Sequence, residues 1–122
     1  MLKYLHTMIR VVDLEKSIHF YTKGLGFEMV SKSEYEKDRF TLAFLKAPSD
    51  TGQNPPMIEL TFNWDTKSYV RGDGYGHMAF EVSSIDEVHD LSWGPGLTPN
   101  GSRKMAFVDD PDGYEIELLQ NM

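Results

Sequence analysis

Cysteine is absent from this chain. Its absence excludes a disulfide framework, a thiolate nucleophile and a zinc knuckle, so any bound metal must be held by His, Asp, Glu or backbone oxygen. Positive charge is scarce as well: 12 Lys and Arg stand against 19 Asp and Glu, for a net charge of −7. Such a surface repels a phosphate backbone, and no Lys/Arg block alternates with aromatic residues, so nucleic acid is not an expected partner. Apolar runs are short, none approaching the ~20 residues that span a bilayer. The stretch from Met1 to Thr7 carries no apolar signal region. These absences predict a soluble, cytoplasmic protein with no membrane partner.

What is present is an ordinary globular composition. With 122 residues, 40% of them hydrophobic and 25% charged, the chain fits a single domain with one modest core. Residues 5–12 alternate as a strand, with Tyr4, His6, Met8 and Arg10 on one face and Leu5, Thr7, Ile9 and Val11 on the other. Asp13 is a good N-cap, and Leu14, Ile18, Tyr21 and Leu25 form the stripe of a helix of about three turns, closed by Gly24 and Gly26. Three strands are predicted next, at 27–31, 40–45 and 57–63, separated by a charged turn at 34–39 and a Pro/Gly/Asn-rich loop at 47–56. The first module, residues 1–63, therefore reads β-α-β-β-β.

A polar connector, 64–74, leads to a second module at 75–122. Its opening strand at 76–82 places His77, Ala79 and Glu81 on one face. Ser84-Ile85-Asp86-Glu87 fits a capping box and predicts a short helix ending near Leu91 or Ser92, broken by Trp93-Gly94-Pro95-Gly96. Strands are predicted around Leu97, at 104–108 and at 114–119, the last two joined by the Asp109-Asp110-Pro111-Asp112-Gly113 turn. In both modules the helix cap stands seven residues after a histidine, and a valine stands five after it. The chain reads as an unequal duplication.

Each module thus offers a histidine on its first strand and a glutamate on its last: His6 with Glu59, and His77 with Glu117 or Glu115, between which periodicity does not choose. A lone strand histidine is usually structural, and an exposed glutamate on a half-solvated strand is unremarkable. Four such positions recurring in two repeats point to a shared site. Mixed imidazole and carboxylate donors suit a borderline divalent metal with positions left for substrate. His19 and His89, beside charged residues in predicted helices, read as surface groups. Arg10 follows His6 by four residues and Asn63 follows Glu59 by four on the same faces, roughly 13 Å along the strand. That separation suits a small elongated anion with its reactive end on the metal and a carboxylate on Arg10; alternatively, Arg10 offsets acidic neighbours.

The blocks Leu5-His6-Thr7-Met8-Ile9-Arg10-Val11, Phe20-Tyr21-Thr22-Lys23, Ile58-Glu59-Leu60-Thr61-Phe62-Asn63-Trp64, Tyr75-Gly76-His77 and Asp110-Pro111-Asp112-Gly113-Tyr114-Glu115-Ile116-Glu117-Leu118 together resemble glyoxalase I (lactoylglutathione lyase) of the small bacterial type, over nearly the whole chain. The resemblance implies an α+β vicinal oxygen chelate fold (glyoxalase/bleomycin resistance) of two βαβββ modules, the second shortened. It implies metal ligation by His6, Glu59, His77 and Glu117, leaving Glu115 aside, with Ni(II) the expected metal and Co(II) or Zn(II) the alternatives. Arg10 and Asn63 match positions that hold the γ-glutamyl end of glutathione. The family assembles as a homodimer in which His6 and Glu59 of one chain meet His77 and Glu117 of the other. The implied reaction isomerises the methylglyoxal–glutathione hemithioacetal to S-D-lactoylglutathione through an enediolate, with Glu117 the main base and Glu59 its counterpart.

The chain departs from that pattern between Val82 and Lys104, which is shorter by roughly a helical turn or two. Arg103 or Lys104 is left to meet the glycyl carboxylate of glutathione. Another metal-dependent reaction on the same scaffold, an epimerase or a thiol transferase, is the alternative activity, and a non-catalytic small-molecule-binding module is the third reading.

Overall fold

The structure, a computed structural model, describes residues 1–121. The chain divides into two compact units, Met1–Val70 and Arg71–Met122. No helix among the described residues is long and apolar enough to cross a membrane.

The first unit contains β1 (His6–Arg10), α1 (Leu14–His19), β2 (Glu28–Tyr35), β3 (Phe40–Lys46) and β4 (Met57–Asn63). Its sheet has the order β1-β4-β3-β2, with β1 parallel to β4 and the other neighbours antiparallel. Asp13, in extended conformation, caps α1 by accepting the Lys16 N–H at 3.1 Å. The helix continues as a π-helical turn over Phe20–Gly24, so that the predicted three turns are present, and Tyr21 becomes fully buried. Gly26, at φ +90°, turns the chain where an L side chain would be strained.

Alternation sorts the first sheet into two faces. Ile9, Thr41, Ala43, Leu45, Ile58 and Leu60 are buried, and each fully covered aliphatic side chain contributes roughly 1.5–3 kcal/mol. His6, Met8 and Arg10 lie on the open face of β1. β2 runs further than predicted, to Tyr35, and the charged turn shrinks to 36–39. A clamp holds that turn to the end of β4: the Arg39 guanidinium donates to both Asp65 carboxylate oxygens at 2.7 and 2.8 Å and stacks 5.4 Å from the Trp64 ring. The hydrogen bonds from Arg39 lower the Asp65 pKa, and Asp65 raises that of Arg39 in return.

The second unit contains β5 (His77–Glu81), β6 (Trp93–Leu97), β7 (Arg103–Asp109) and β8 (Glu115–Asn121), in the order β5-β8-β7-β6. Again the first strand is parallel to the last. Ile85, Ala106, Val108, Ile116 and Leu118 are buried.

Here the structure corrects two expectations. The predicted second helix is only a 3₁₀ turn, Ile85–Glu87, and the Ser84 side chain makes no capping hydrogen bond. The first free amide of the turn, Ile85 N–H, is satisfied instead by the Gln120 side chain at 2.7 Å. Asp90 then adopts a left-handed φ of +59°, so the run to Leu91 cannot continue as a helix and His89 is exposed outside any helix. Trp93-Gly94-Pro95-Gly96, read as a breaker, is most of β6. An outer strand tolerates a proline because one flank of its ladder needs no donor, and the register shift between Trp93 and Gly96 absorbs the rest.

Candidate metal centre

Each unit brings its histidine and glutamate together by the same register. His6 lies opposite Met57 on β4, with Glu59 two residues on. His77 lies opposite Glu115 on β8, with Glu117 two residues on. The side chains lean across this diagonal: His6 Nε2 is 2.9 Å from Glu59 Oε1, and His77 Nε2 is 3.4 Å from Glu117 Oε1. Both imidazoles are 38% exposed, while the carboxylates are 14% and 17% exposed. Of the two glutamates between which periodicity does not choose, it is Glu117 whose carboxylate faces His77.

The turn before β8 sets the register of β8 against β7. Asp110 is buried, and its carboxylate accepts the Asp112 and Tyr114 amides at 2.9 and 2.8 Å. Gly113, at φ +87°, completes the reversal. A shift of one residue in β8 would send Glu117 to the buried face now held by Ile116 and Leu118.

Sequence reasoning missed a third member of each pair. Phe44 on β3 stands directly across from Glu59, and Phe107 on β7 directly across from Glu117. Their rings meet the histidines edge to face, His6–Phe44 at 5.6 Å and 79°, and His77–Phe107 at 5.2 Å and 80°. A row of His, Glu and Phe over three adjacent strands therefore occurs twice. The phenyl ring packs edge to face against one flank of each imidazole. In the second unit the row borders a cavity of about 420 Å³ whose lining includes Trp93, Met105 and Phe107.

The remaining predicted residues fall as follows. Arg10 lies at the end of β1 on the His6 face, exposed. Asn63, half-buried at the end of β4, donates to the Tyr69 hydroxyl at 2.9 Å. Arg103 and Lys104 are separated by alternation: Arg103 shares the odd-numbered face of β7 with Phe107 and lies 3.9 Å from Glu81, which also accepts from Asn121 at 2.8 Å. Lys104 points to the other face, where its ammonium is 3.3 Å from Asp86. His19 is exposed on α1.

Among the described residues no group of three or more His, Asp or Glu converges; the donors stand as two pairs, one in each unit. Each pair fits a cation. An imidazole nitrogen 2.9 or 3.4 Å from a carboxylate oxygen can be bridged by the N–H of a neutral ring or by a metal ion held by both. Neutral imidazole with carboxylate is a donor set for nickel, cobalt or zinc.

Residues 3–118 match the Glyoxalase/Bleomycin resistance protein/Dioxygenase superfamily. The chain is 43% identical over 127 residues to a probable lactoylglutathione lyase of Vibrio cholerae, covering 98% of this chain and 91% of that protein. It is 40% identical over 127 residues to the lactoylglutathione lyase of Neisseria meningitidis serogroup A, with 98% and 91% covered. Among solved structures, the trypanothione-dependent glyoxalase I of Leishmania major is similar at TM-score 0.81 and 38% identity, over 98% of this chain and 87% of that one.

Proposed function

The chain belongs to the glyoxalase/bleomycin resistance protein/dioxygenase superfamily, and from that membership and its twice-repeated His–Glu pair we propose that it is a lactoylglutathione lyase. The reaction isomerises the hemithioacetal of methylglyoxal and glutathione to S-D-lactoylglutathione, a step in methylglyoxal detoxification. One observation carries the reading. The same histidine and glutamate, in the same strand register and with the same edge-on phenylalanine, recur in both units, and relatives about 40% identical over nearly their full length are named for this activity.

His6, Glu59, His77 and Glu117 are the residues that would hold a divalent metal, with Ni(II) the proposed ion and Co(II) and Zn(II) the alternatives. When bound, such an ion supplies Lewis-acid stabilisation for the negative charge that develops on the substrate oxygens. The chain's own residues do the rest. Glu117 accepts the proton from C1 of the hemithioacetal and returns it to C2, and Glu59 is its counterpart on the other side. Arg10 and Asn63 hold the γ-glutamyl end of the thiol. Arg103, on the same face as Glu117, meets the glycyl carboxylate; Lys104 faces away and serves Asp86. Phe44 and Phe107 keep the imidazoles oriented.

Each unit supplies one imidazole and one carboxylate, half of a four-donor set. We therefore infer a homodimer in which His6 and Glu59 of one copy meet His77 and Glu117 of another, as one domain-sized chain built of two modules. The cytoplasm is the proposed compartment, where glutathione is kept reduced.

The test is to strip the metal, restore Ni, Co and Zn separately, and follow thioester formation from methylglyoxal with several thiols. Activity should return with glutathione and rank with the metal. A metal-loaded protein that forms no thioester with any thiol would refute the activity and favour an epimerase, a thiol transferase or a binding module.

A further inference from the structure

The two His–Glu–Phe rows match in register, exposure and ring geometry, but their neighbours differ, and one of those differences bears directly on the carboxylates. On β4 the residue two after Glu59 is Thr61, which alternation places on the same face. Its hydroxyl donates to Glu59 Oε2 at 3.3 Å, while Glu59 Oε1 faces His6 Nε2 at 2.9 Å. Thr61 is 8% exposed, and a β-branched side chain there has little rotamer freedom. On β8 the corresponding residue, two after Glu117, is Leu119, which has no hydroxyl to offer. Among the described residues Glu59 is thus held at both carboxylate oxygens, whereas Glu117 is engaged at one, and at the longer distance of 3.4 Å.

Resting on the reading of His6 and Glu59 as ligands, we propose that Thr61 is a positioning residue that pins Glu59 as a fixed ligand, and that Leu119 leaves Glu117 the carboxylate able to reorient. A carboxylate that takes a proton from one carbon and delivers it to the next must turn between the two. One tied at both oxygens is the better ligand and the poorer shuttle. The duplicated scaffold supplies two equivalent glutamates, and one hydroxyl separates their duties.

The experiment measures Ni(II) affinity of the full-length protein by chelator competition, with turnover in parallel, for Thr61→Val, Thr61→Ser and Leu119→Thr. Outer-shell partners of a ligand typically govern 10- to 100-fold in metal affinity. At 3.3 Å the Thr61 contact is long, so Thr61→Val should weaken Ni(II) binding about tenfold and Thr61→Ser should restore it. Leu119→Thr should lower kcat several-fold without weakening the metal, because a second hydroxyl would hold Glu117. Unchanged affinity in folded Thr61→Val, or loss in Thr61→Ser as large as in Thr61→Val, overturns the inference while leaving the ligand reading intact. Failure of the parent protein to bind Ni(II), Co(II) or Zn(II) overturns the ligand reading and the inference with it.

Discussion

Replacing Glu117 by Gln tests its proposed role as the base. The amide has almost the same shape, so β8 should stay in place: its seating comes from Ile116 and Leu118, 0% and 1% exposed, while the Glu117 side chain is 17% exposed on the other face. What changes is chemical. A neutral amide cannot accept a proton from carbon, and loss of a positioned general base typically costs about 10²–10⁴ in rate, or roughly 3–5 kcal/mol of transition-state stabilisation at 1.36 kcal/mol per tenfold. Because Glu117 also faces His77 at 3.4 Å, metal loading must be measured beside turnover, and rates compared per bound metal. The assay is initial thioester formation from methylglyoxal and glutathione, with far-ultraviolet circular dichroism to show that the sheet persists. Glu115→Gln is the matched control: it removes the same charge from the same strand face two residues away, and should leave the rate near that of the parent. A metal-loaded Glu117→Gln protein with the parental rate, or a Glu115→Gln protein equally impaired, would refute the assignment.

Two further predictions concern the scaffold. Gly94 has φ +92°, and a Cβ there would lie 3.0 Å from the Met105 carbonyl oxygen and 3.2 Å from Ala106 Cα. Neither backbone atom can rotate away. Gly94→Ala should therefore lose more stability than the about 1–2 kcal/mol of left-handed strain alone, whereas Gly26→Ala, at φ +90° with nothing within 4 Å of its Cβ, should lose only that strain; equal urea midpoints for the two would contradict this. The Arg39 hydrogen bonds depress the Asp65 pKa, so its stabilisation is present above the unfolded value of about 3.9 and is lost as pH falls through the lower folded value. Asp65→Asn should thus differ most from the parent at neutral pH, by a small margin because the pair is exposed, and the two denaturation midpoints should converge in acid; divergence there would reverse the sign of the argument.

Much of the architecture was legible because alternation and capping act locally. The His6 strand face, the Asp13 cap and the Met57–Asn63 strand are each set by residues within a few positions of one another. The second helix was misread for the same reason. Ser84 and Glu87 have the sequence of a capping box, but the donor at that site is answered by Gln120, 35 residues away, and the chain must reach β6 too soon for a helix to grow. Phe44 and Phe107 were invisible for a different cause. A phenylalanine on a half-buried strand looks like core, and the two stand at unequal distances before Glu59 and Glu117, so no fixed spacing marks them as equivalents. Only the ladder register, which is a long-range property, aligns them. The choice between Arg103 and Lys104 likewise depends on the phase of β7, set by its pairing with β8.

The histidine-bearing strands occupy a revealing place. β1 and β5 are each five residues long, each is the outermost strand at one end of its sheet, and each is joined there by a parallel ladder. Parallel pairing is slightly weaker per residue, and short outer strands are where a sheet first frays. The glutamates lie one strand inward, on β4 and β8, which are flanked on both sides. An ion held by the proposed ligands would therefore tie a short outer strand of each sheet to an inner one. At the proposed site the cation would be a rivet as well as a reagent, and its departure would loosen the very strands that must be in place for it to return.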